Sequence, residues 1–153
     1  MSNVTESIDV NVPVRTTYNQ WTQFEEFPQF MNNVKQVRQL DDTHLEWTAE
    51  IAGKEKVWQA TVTEQNPDER VAWNADDGSN AGVVTFHRID ENVTRVTVQM
   101  DIDPEGVLEN VGDALGVPDR SVKGDLKRFK EYIESRGTET GAWRGEVEQT
   151  ATR

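Results

Sequence analysis

The feature that most constrains the fold is a run of large apolar side chains near the N-terminus, within residues 12–34, VPVRTTYNQWTQFEEFPQFMNNV. The first of them recur at helical spacing, and Pro28 bends a second short helix by removing a backbone donor. Groups of this size need an equally apolar surface to pack against. The large apolar residues of this run are Val14, Tyr18, Trp21, Phe24, Phe27, Phe30 and Met31.

That surface is predicted to be a β-sheet. Residues 5–12 alternate between apolar and polar, and five segments between residues 45 and 102 do the same. Residues 34–40 are predicted to form a weaker strand. Turn signals such as AGK at 52–54 and NPD at 66–68 separate them, which predicts an antiparallel meander. By alternation, the inward-facing residues are Leu45, Trp47, Ala49, Ile51, Trp58, Ala60, Val62, Val71, Trp73, Val84, Phe86, Val96, Val98, Met100 and Ile102.

The C-terminal part is predicted to be helical. The sequence DPE at 103–105 is typical of a helix start, and this segment stops at Gly116. Asp119 can cap a longer helix that ends at Gly137, with one apolar face made by Val122, Leu126, Phe129 and Ile133. We therefore expect a single α+β domain over residues 1–137, followed by a loose polar tail over residues 138–153.

Composition excludes several classes of protein. The formal net charge is −12, with 28 acidic and 16 basic residues, which disfavours nucleic acid and anionic lipid as partners. The acidity favours solubility, and it is also typical of proteins from high-salt hosts. The chain has no apolar run long enough to span a membrane and no signal-peptide pattern, so we expect it in the cytoplasm. Its lack of cysteine excludes disulfides and thiol chemistry.

The sequence offers few groups for catalysis. We find no phosphate-binding loop, dinucleotide glycine pattern, GxSxG motif or His/Glu pair at metal spacing, so we expect no cofactor and no metal. His44 and His87 are predicted to face outward, whereas Arg88 shares the parity of Phe86 and is predicted to face inward near a strand end. Arg88 and His87 are therefore weak catalytic candidates. An ion pair at the sheet edge is the alternative role for Arg88.

Three segments carry a resemblance to a known superfamily: VPVRTTYNQWTQFEEFPQFM, WNADDGSNAGVVTFHRID and DPEGVLENVGDALGVPDRSVKGDLKRFKEYIESRG. Together they resemble the START-like (SRPBCC) superfamily, and within it the bacterial polyketide cyclase/dehydrase and coenzyme-Q-binding subgroup. The resemblance covers residues 3–147, including GAWRGEV at 141–147. It implies a helix-grip fold of the START-like or Bet v 1-like type. Such a fold has a seven-stranded curved antiparallel sheet around a long C-terminal helix, with two short helices after the first strand and an apolar tunnel.

The resemblance and the apolar inner face together imply binding of a small hydrophobic molecule, such as a lipid, a quinone or a polyketide-like aromatic compound. The predicted ligand-binding residues are Trp47, Trp58, Trp73, Phe86, Arg88, Met100, Leu126 and Phe129. The tryptophans can equally fill the core. Two alternative functions remain open, because a fold does not by itself determine function. One is an aromatase/cyclase-type enzyme that closes or dehydrates rings. The other is a non-catalytic interaction or stress-related module with a collapsed cavity and a homodimer face on Val83, Thr85, His87 and Ile89.

Overall fold

One antiparallel sheet of seven strands organises the molecule. The computed structural model describes residues 2–51, 53–78, 80–102 and 117–147. The strands lie in the order β1-β7-β6-β5-β4-β3-β2, as a meander with the first strand added beside the last. This arrangement confirms the predicted seven-stranded sheet. The strands are β1 Ser2–Val10, β2 Val34–Gln39, β3 His44–Ile51, β4 Lys54–Asn66, β5 Arg70–Ala75, β6 Asn80–Asp90 and β7 Val93–Ile102.

Two short helices connect β1 to β2, as the sequence predicts. Helix α1 spans Val14–Trp21, and a 3₁₀ helix, η1, spans Phe24–Gln29 with Pro28 inside it. A 3₁₀ helix accommodates proline here because so short an element has few backbone bonds to lose. The rings of α1 and η1 pack edge to face, with 5.2 Å between the centroids of Trp21 and Phe27.

The long C-terminal helix, α2, spans Val117–Arg136. It begins two residues before the predicted cap at Asp119, since Pro118 in the first turn forfeits no intrahelical bond. It ends as predicted at Gly137, whose φ is +75° and whose amide donates to the Ile133 carbonyl at 2.9 Å. The helix predicted over residues 103–115 lies outside the described residues.

The core lies between the inner face of the sheet, the two short helices and α2. Val84, Val96, Leu126, Phe129 and Ile133 are almost fully buried in it. The strand alternation that predicts this face fails in β4, because a β-bulge between Val62 and Glu64 shifts the register. The shift turns the side chain of Gln65 into the core. Of the predicted inner-face set, Ile51 and Ile102 are described only in their backbone.

Polar contacts attach α2 to the rest of the domain. Arg128 donates from Nε to the Phe30 carbonyl at 2.9 Å and from Nη2 to Asp125 on its own helix. Further along the helix, Lys130 donates to the backbone carbonyl of Asp9 at 2.9 Å, and Glu134 accepts from the Asn11 amide at 2.7 Å. The helix is thereby held both to the loop after η1 and to the end of β1.

The expectation of a loose tail is wrong for residues 139–147, which we call the C-terminal strap. Gln20 and Thr140 exchange two hydrogen bonds, and the Trp143 amide donates to Thr22 Oγ1 at 3.0 Å. Val147 forms an antiparallel bridge with Gln65, where β4 extends past its neighbour β3. Two buried amides of α1 explain this docking, since Asn19 bonds to Glu139 and Arg144 of the strap and Gln20 bonds to Thr140.

Candidate functional site

The candidate site is the inner face of the sheet, where burial varies along the strands. Trp47, Phe86, Leu126 and Phe129 are buried, whereas three of the other predicted ligand-binding residues are only partly buried at the rim of the core. These three are Trp58, Trp73 and Met100. Val122, near the start of α2, is partly buried as well. The partly exposed apolar surface of the sheet therefore lies on β4, β5 and β7, where a ligand can reach the inner face.

Trp47 and Trp58 form a stacked pair on the neighbouring strands β3 and β4. They are directly opposite each other in the β3–β4 ladder, with ring centroids 6.0 Å apart and ring planes within 5° of parallel. Trp47 is the inner member: it is 8% exposed and lies 5.6 Å from the ring of Phe27. Its indole N–H is buried and finds no acceptor among the described residues. Trp58 thus presents a flat apolar surface that its neighbour holds in orientation.

Trp73 provides a second indole on the same face. It lies opposite Val62 on β4 and opposite Gly82 on β6. Its Nε1–H donates to Asn80 Oδ1 at 3.3 Å. Sequence reasoning selected Trp73 but not Asn80 or Gly82. The signal for them was the glycine inside an alternating strand, which often marks a close approach by another group.

Phe129 and Leu126 fill the core at the middle of α2. The Phe129 ring lies 5.0 Å from that of Trp21 and 5.1 Å from that of Phe30. Phe86 likewise makes an edge-to-face contact with Tyr18 at 5.3 Å. These predicted ligand-binding residues are held by the aromatic groups of α1 and η1 and support the face on which Trp58 and Trp73 lie.

Arg88 and His87 lie far from the tryptophans. Both are exposed, at the end of β6 that precedes the turn into β7. Six residues separate Arg88 from Gly82, which corresponds to about 20 Å along a strand. The structure therefore does not bring Arg88 together with Trp58, Trp73 and Met100. A register shift lies between Arg88 and Asp90, next to the turn into β7.

His44 is exposed at the start of β3, as predicted, and its Nδ1 contacts Asp41 at 2.8 Å. The stripe considered as a dimer face lies on the outer side of the sheet, and within it Ile89 is 43% exposed. A shallow concavity of about 370 Å³ also crosses the outer side, with the small residues Ala72 and Ala81 among those that line it. Its lining also includes Trp73, Gly82 and Met100, so this concavity adjoins the candidate site.

A buried polar cluster at the α1 end was missed by sequence reasoning. Tyr18 was counted with the apolar residues of α1, but its hydroxyl lies beside the Gln65 carboxamide that the bulge turns inward. Burial raises the pKa of Tyr18 to about 12, although the Gln65 amide and the Arg144 guanidinium act in the opposite direction. Neither the hydroxyl nor the amide makes a hydrogen bond of ordinary geometry to a described residue.

The described residues contain little that suits metal binding or acid–base chemistry. They include no group of three or more metal-ligating side chains. Within the same residues, the fully buried polar side chains other than Tyr18 are amides and hydroxyls, without a carboxylate, histidine, lysine or arginine. None of the described helices is long and apolar enough to cross a membrane.

Comparison with known proteins identifies the family. A family model described as polyketide cyclase/dehydrase and lipid transport matches residues 10–131, which is most of the chain. The chain belongs to the polyketide cyclase/dehydrase and lipid transport family. A relative from Streptomyces lincolnensis is 56% identical over 149 residues, covering 96% of this chain and 99% of the relative. That relative is described as an uncharacterized 17.2 kDa protein in the melC2-rnhH intergenic region.

Solved structures support the helix-grip fold of this family member. The Zhui aromatase/cyclase of Streptomyces sp. R1128 superposes with a TM-score of 0.72 at 14% identity, covering 93% of this chain and 99% of that chain. A START superfamily protein of Mycobacterium smegmatis superposes with a TM-score of 0.64 at 16% identity, covering 83% and 98%. The family model confirms the predicted polyketide cyclase/dehydrase family, and the superpositions confirm the predicted helix-grip fold. At these identities the likeness concerns the fold alone.

Proposed function

We propose that this protein binds a small hydrophobic molecule between the inner face of its sheet and α2. The observation that carries the proposal is the partial exposure of Trp58, Trp73 and Met100 on a face that is otherwise buried. Apolar side chains left accessible on the concave side of a sheet form the usual lining of a ligand site. A lipid, a quinone and a polyketide-like aromatic compound all match such a lining.

Binding at this face is driven by desolvation. Burying ~300 Å² of apolar ligand surface contributes about 7 kcal/mol at about 25 cal/mol per Å², before the costs of association. The indoles of Trp58 and Trp73 add ring contacts of about 0.5–1.5 kcal/mol each to an aromatic ligand. The lack of fully buried ionisable side chains other than Tyr18 in the described residues means that recognition rests on shape and apolar area.

An aromatase/cyclase-type activity is the second candidate, and the family description is the observation that favours it. In that case the apolar face would bind a poly-ketone chain in a folded conformation, and a polar side chain would assist enolisation of one of its ketones. Arg88 and His87 stay the candidates for that group. They are exposed at the far end of β6, so their involvement requires a substrate that reaches along the strand.

Native mass spectrometry of the gently purified protein, followed by organic extraction, tests the first proposal. We expect an apolar adduct at one copy per chain, or saturable binding of the neutral fluorophore N-phenyl-1-naphthylamine if the protein is empty. Trp58→Ala should weaken that binding. Val57→Ala is the matched control, because Val57 is the adjacent residue on the outer side and is 58% exposed. Absence of both an adduct and saturable probe binding would refute the proposal.

The enzyme alternative is tested by turnover of short poly-ketone mimics. Turnover that is lost in Arg88→Ala or His87→Ala, with an unchanged unfolding transition, would establish catalysis. Probe binding without turnover in the wild-type protein would leave the carrier function as the explanation. The same mass spectra report whether the protein forms a dimer.

A further inference from the structure

Gly82 has no side chain for a reason that lies on the neighbouring strand. A Cβ atom built at Gly82 would lie 2.6 Å from Cζ2, 2.8 Å from Cη2 and 3.1 Å from Cε2 of Trp73. Distances below about 3 Å are far inside van der Waals contact, so the indole occupies the space that a side chain at residue 82 would need. The ring of Trp73 therefore extends from β5 across β6.

The backbone offers no competing explanation for this glycine. The glycines with positive φ are Gly53, Gly78 and Gly137 among the described residues, and Gly82 is not one of them. Glycine within a strand is unfavourable because it loses more chain entropy on folding than other residues and packs no side chain. At Gly82 the packing of the Trp73 indole against the backbone of β6 offsets this cost.

Asn80 completes the arrangement. It lies two residues from Gly82 on the same face of β6, is 8% exposed, and accepts the Nε1–H of Trp73 at 3.3 Å. The hydrogen bond from Nε1 and the space at Gly82 beside the adjoining atoms Cε2, Cζ2 and Cη2 together define the position of the ring. The ring nonetheless remains only partly buried, at the border of the core.

We propose that Gly82 and Asn80 are specificity-determining residues that hold the Trp73 indole low against β6, so that its exposed surface forms part of the floor of the ligand site. This inference rests on the proposed function and adds to it the device that sets the depth of the site. A side chain at residue 82 would lift the indole toward α2 and fill space that a bulky ring system requires.

The test measures probe affinity and unfolding free energy in a double-mutant cycle of Gly82→Ala and Trp73→Leu. The probe is N-phenyl-1-naphthylamine, which is neutral and is therefore not repelled by the net charge of −12. We expect Gly82→Ala to weaken binding about tenfold and Trp73→Leu about fivefold, as expected for a lost aromatic contact. In the Trp73→Leu background, Gly82→Ala should have almost no effect on probe affinity, because the clashing ring is absent. It should slightly raise the free energy of unfolding there, because alanine loses less chain entropy on folding than glycine.

Asn80→Ala should weaken probe binding less than Gly82→Ala and should change the fluorescence of Trp73. Val83→Ala, at the neighbouring outward-facing position, is the control and should bind like the wild-type protein. The inference is overturned if Gly82→Ala acts equally with and without Trp73, or if all variants bind the probe as the wild type does. Failure of the wild-type protein to bind the probe or any adduct would instead refute the proposed function, and this inference with it.

Discussion

The guanidinium of Arg144 lies over the ring of Tyr18, with its Cζ atom 5.5 Å from the ring centroid. The same guanidinium donates from Nη1 to Asn19 Oδ1 and pairs through Nη2 with Asp68 at 2.8 Å. One side chain therefore joins the C-terminal strap to α1 and to the turn between β4 and β5. Asp68 is suited to this turn because aspartate tolerates its positive φ of 65°.

Replacing Arg144 should destabilise the fold. We expect Arg144→Ala to lower the free energy of unfolding by about 1–3 kcal/mol, because Asn19 and Asp68 lose a charged partner at a partly buried site. Arg144→Lys should recover only part of this, since an ammonium group cannot reproduce the planar fork. Urea denaturation monitored by tryptophan fluorescence measures the free energy of unfolding of both variants. Lys127→Ala, at an exposed position on α2, is the control, and an Arg144→Ala value equal to it would contradict the prediction.

Removing the strap should have a larger effect. A chain that ends at Gly137 lacks the partners of Asn19, Gln20 and Thr22, and also the bridge to Gln65. Lost hydrogen bonds of this kind cost about 1 kcal/mol each, so a total loss of several kcal/mol is expected. Calorimetry of the truncated and full-length chains measures it, with Glu146→Gln as the control for an exposed strap residue. Equal transition temperatures would show that the strap is dispensable for stability.

Stability should depend on Tyr18 at high pH. Burial raises the pKa of Tyr18 from 10.0 to about 12, so the folded state keeps a proton that the unfolded chain has released. The free energy of unfolding should therefore decrease as the pH rises from 10 to about 12, and the contribution of Tyr18 is fully present below pH 10. Tyr18→Phe removes the titrating hydroxyl and replaces tyrosine by a residue that does not titrate. Stability curves of the two proteins should converge toward pH 10 and diverge above it, and parallel curves would refute the assignment.

Tyr18→Phe should also cost little at neutral pH. The hydroxyl is buried without a hydrogen bond of ordinary geometry to a described residue, so its removal forfeits no strong bond. We expect a change in the free energy of unfolding below about 1 kcal/mol. A loss of more than twice that amount in urea denaturation would indicate that the hydroxyl is bonded to Gln65 in solution.

The contact between Arg128 and Asp125 should make one variant pH-dependent. Burial raises the pKa of Asp125, while the Arg128 guanidinium opposes the shift. Arg128→Ala should raise this pKa further and leave a partly buried carboxylate without its cationic partner near neutral pH. Because the folded state then binds the proton more tightly than the unfolded chain, the deficit should shrink as the pH falls through the pKa of Asp125. Urea denaturation near pH 7 and about pH 4 measures the deficit, and Asp125→Asn should remove its pH dependence.

The sequence predicted the strands well because alternation reports which face of a strand is buried. Leu45, Trp47, Ala60, Val62 and Val71 all lie on the inner face as expected. The bulge after Val62 was not predicted, since nothing in a local pattern signals an extra residue opposite the neighbouring strand. Arg88 shares the inward parity of Phe86, but parity is no guide to burial at a strand end that the core does not cover.

The local pattern by itself determined the element order, the sheet with its apolar inner face and the end of α2 at Gly137, because backbone periodicity and glycine chemistry act over a few residues. Only the tertiary structure decided which tryptophans remain accessible, why residue 82 is glycine, and how GAWRGEV docks against α1 and β4. Those features depend on contacts between residues far apart in the chain: Trp73 meets Gly82 through strand register, and Arg144 meets Tyr18 through the return of the strap across α1.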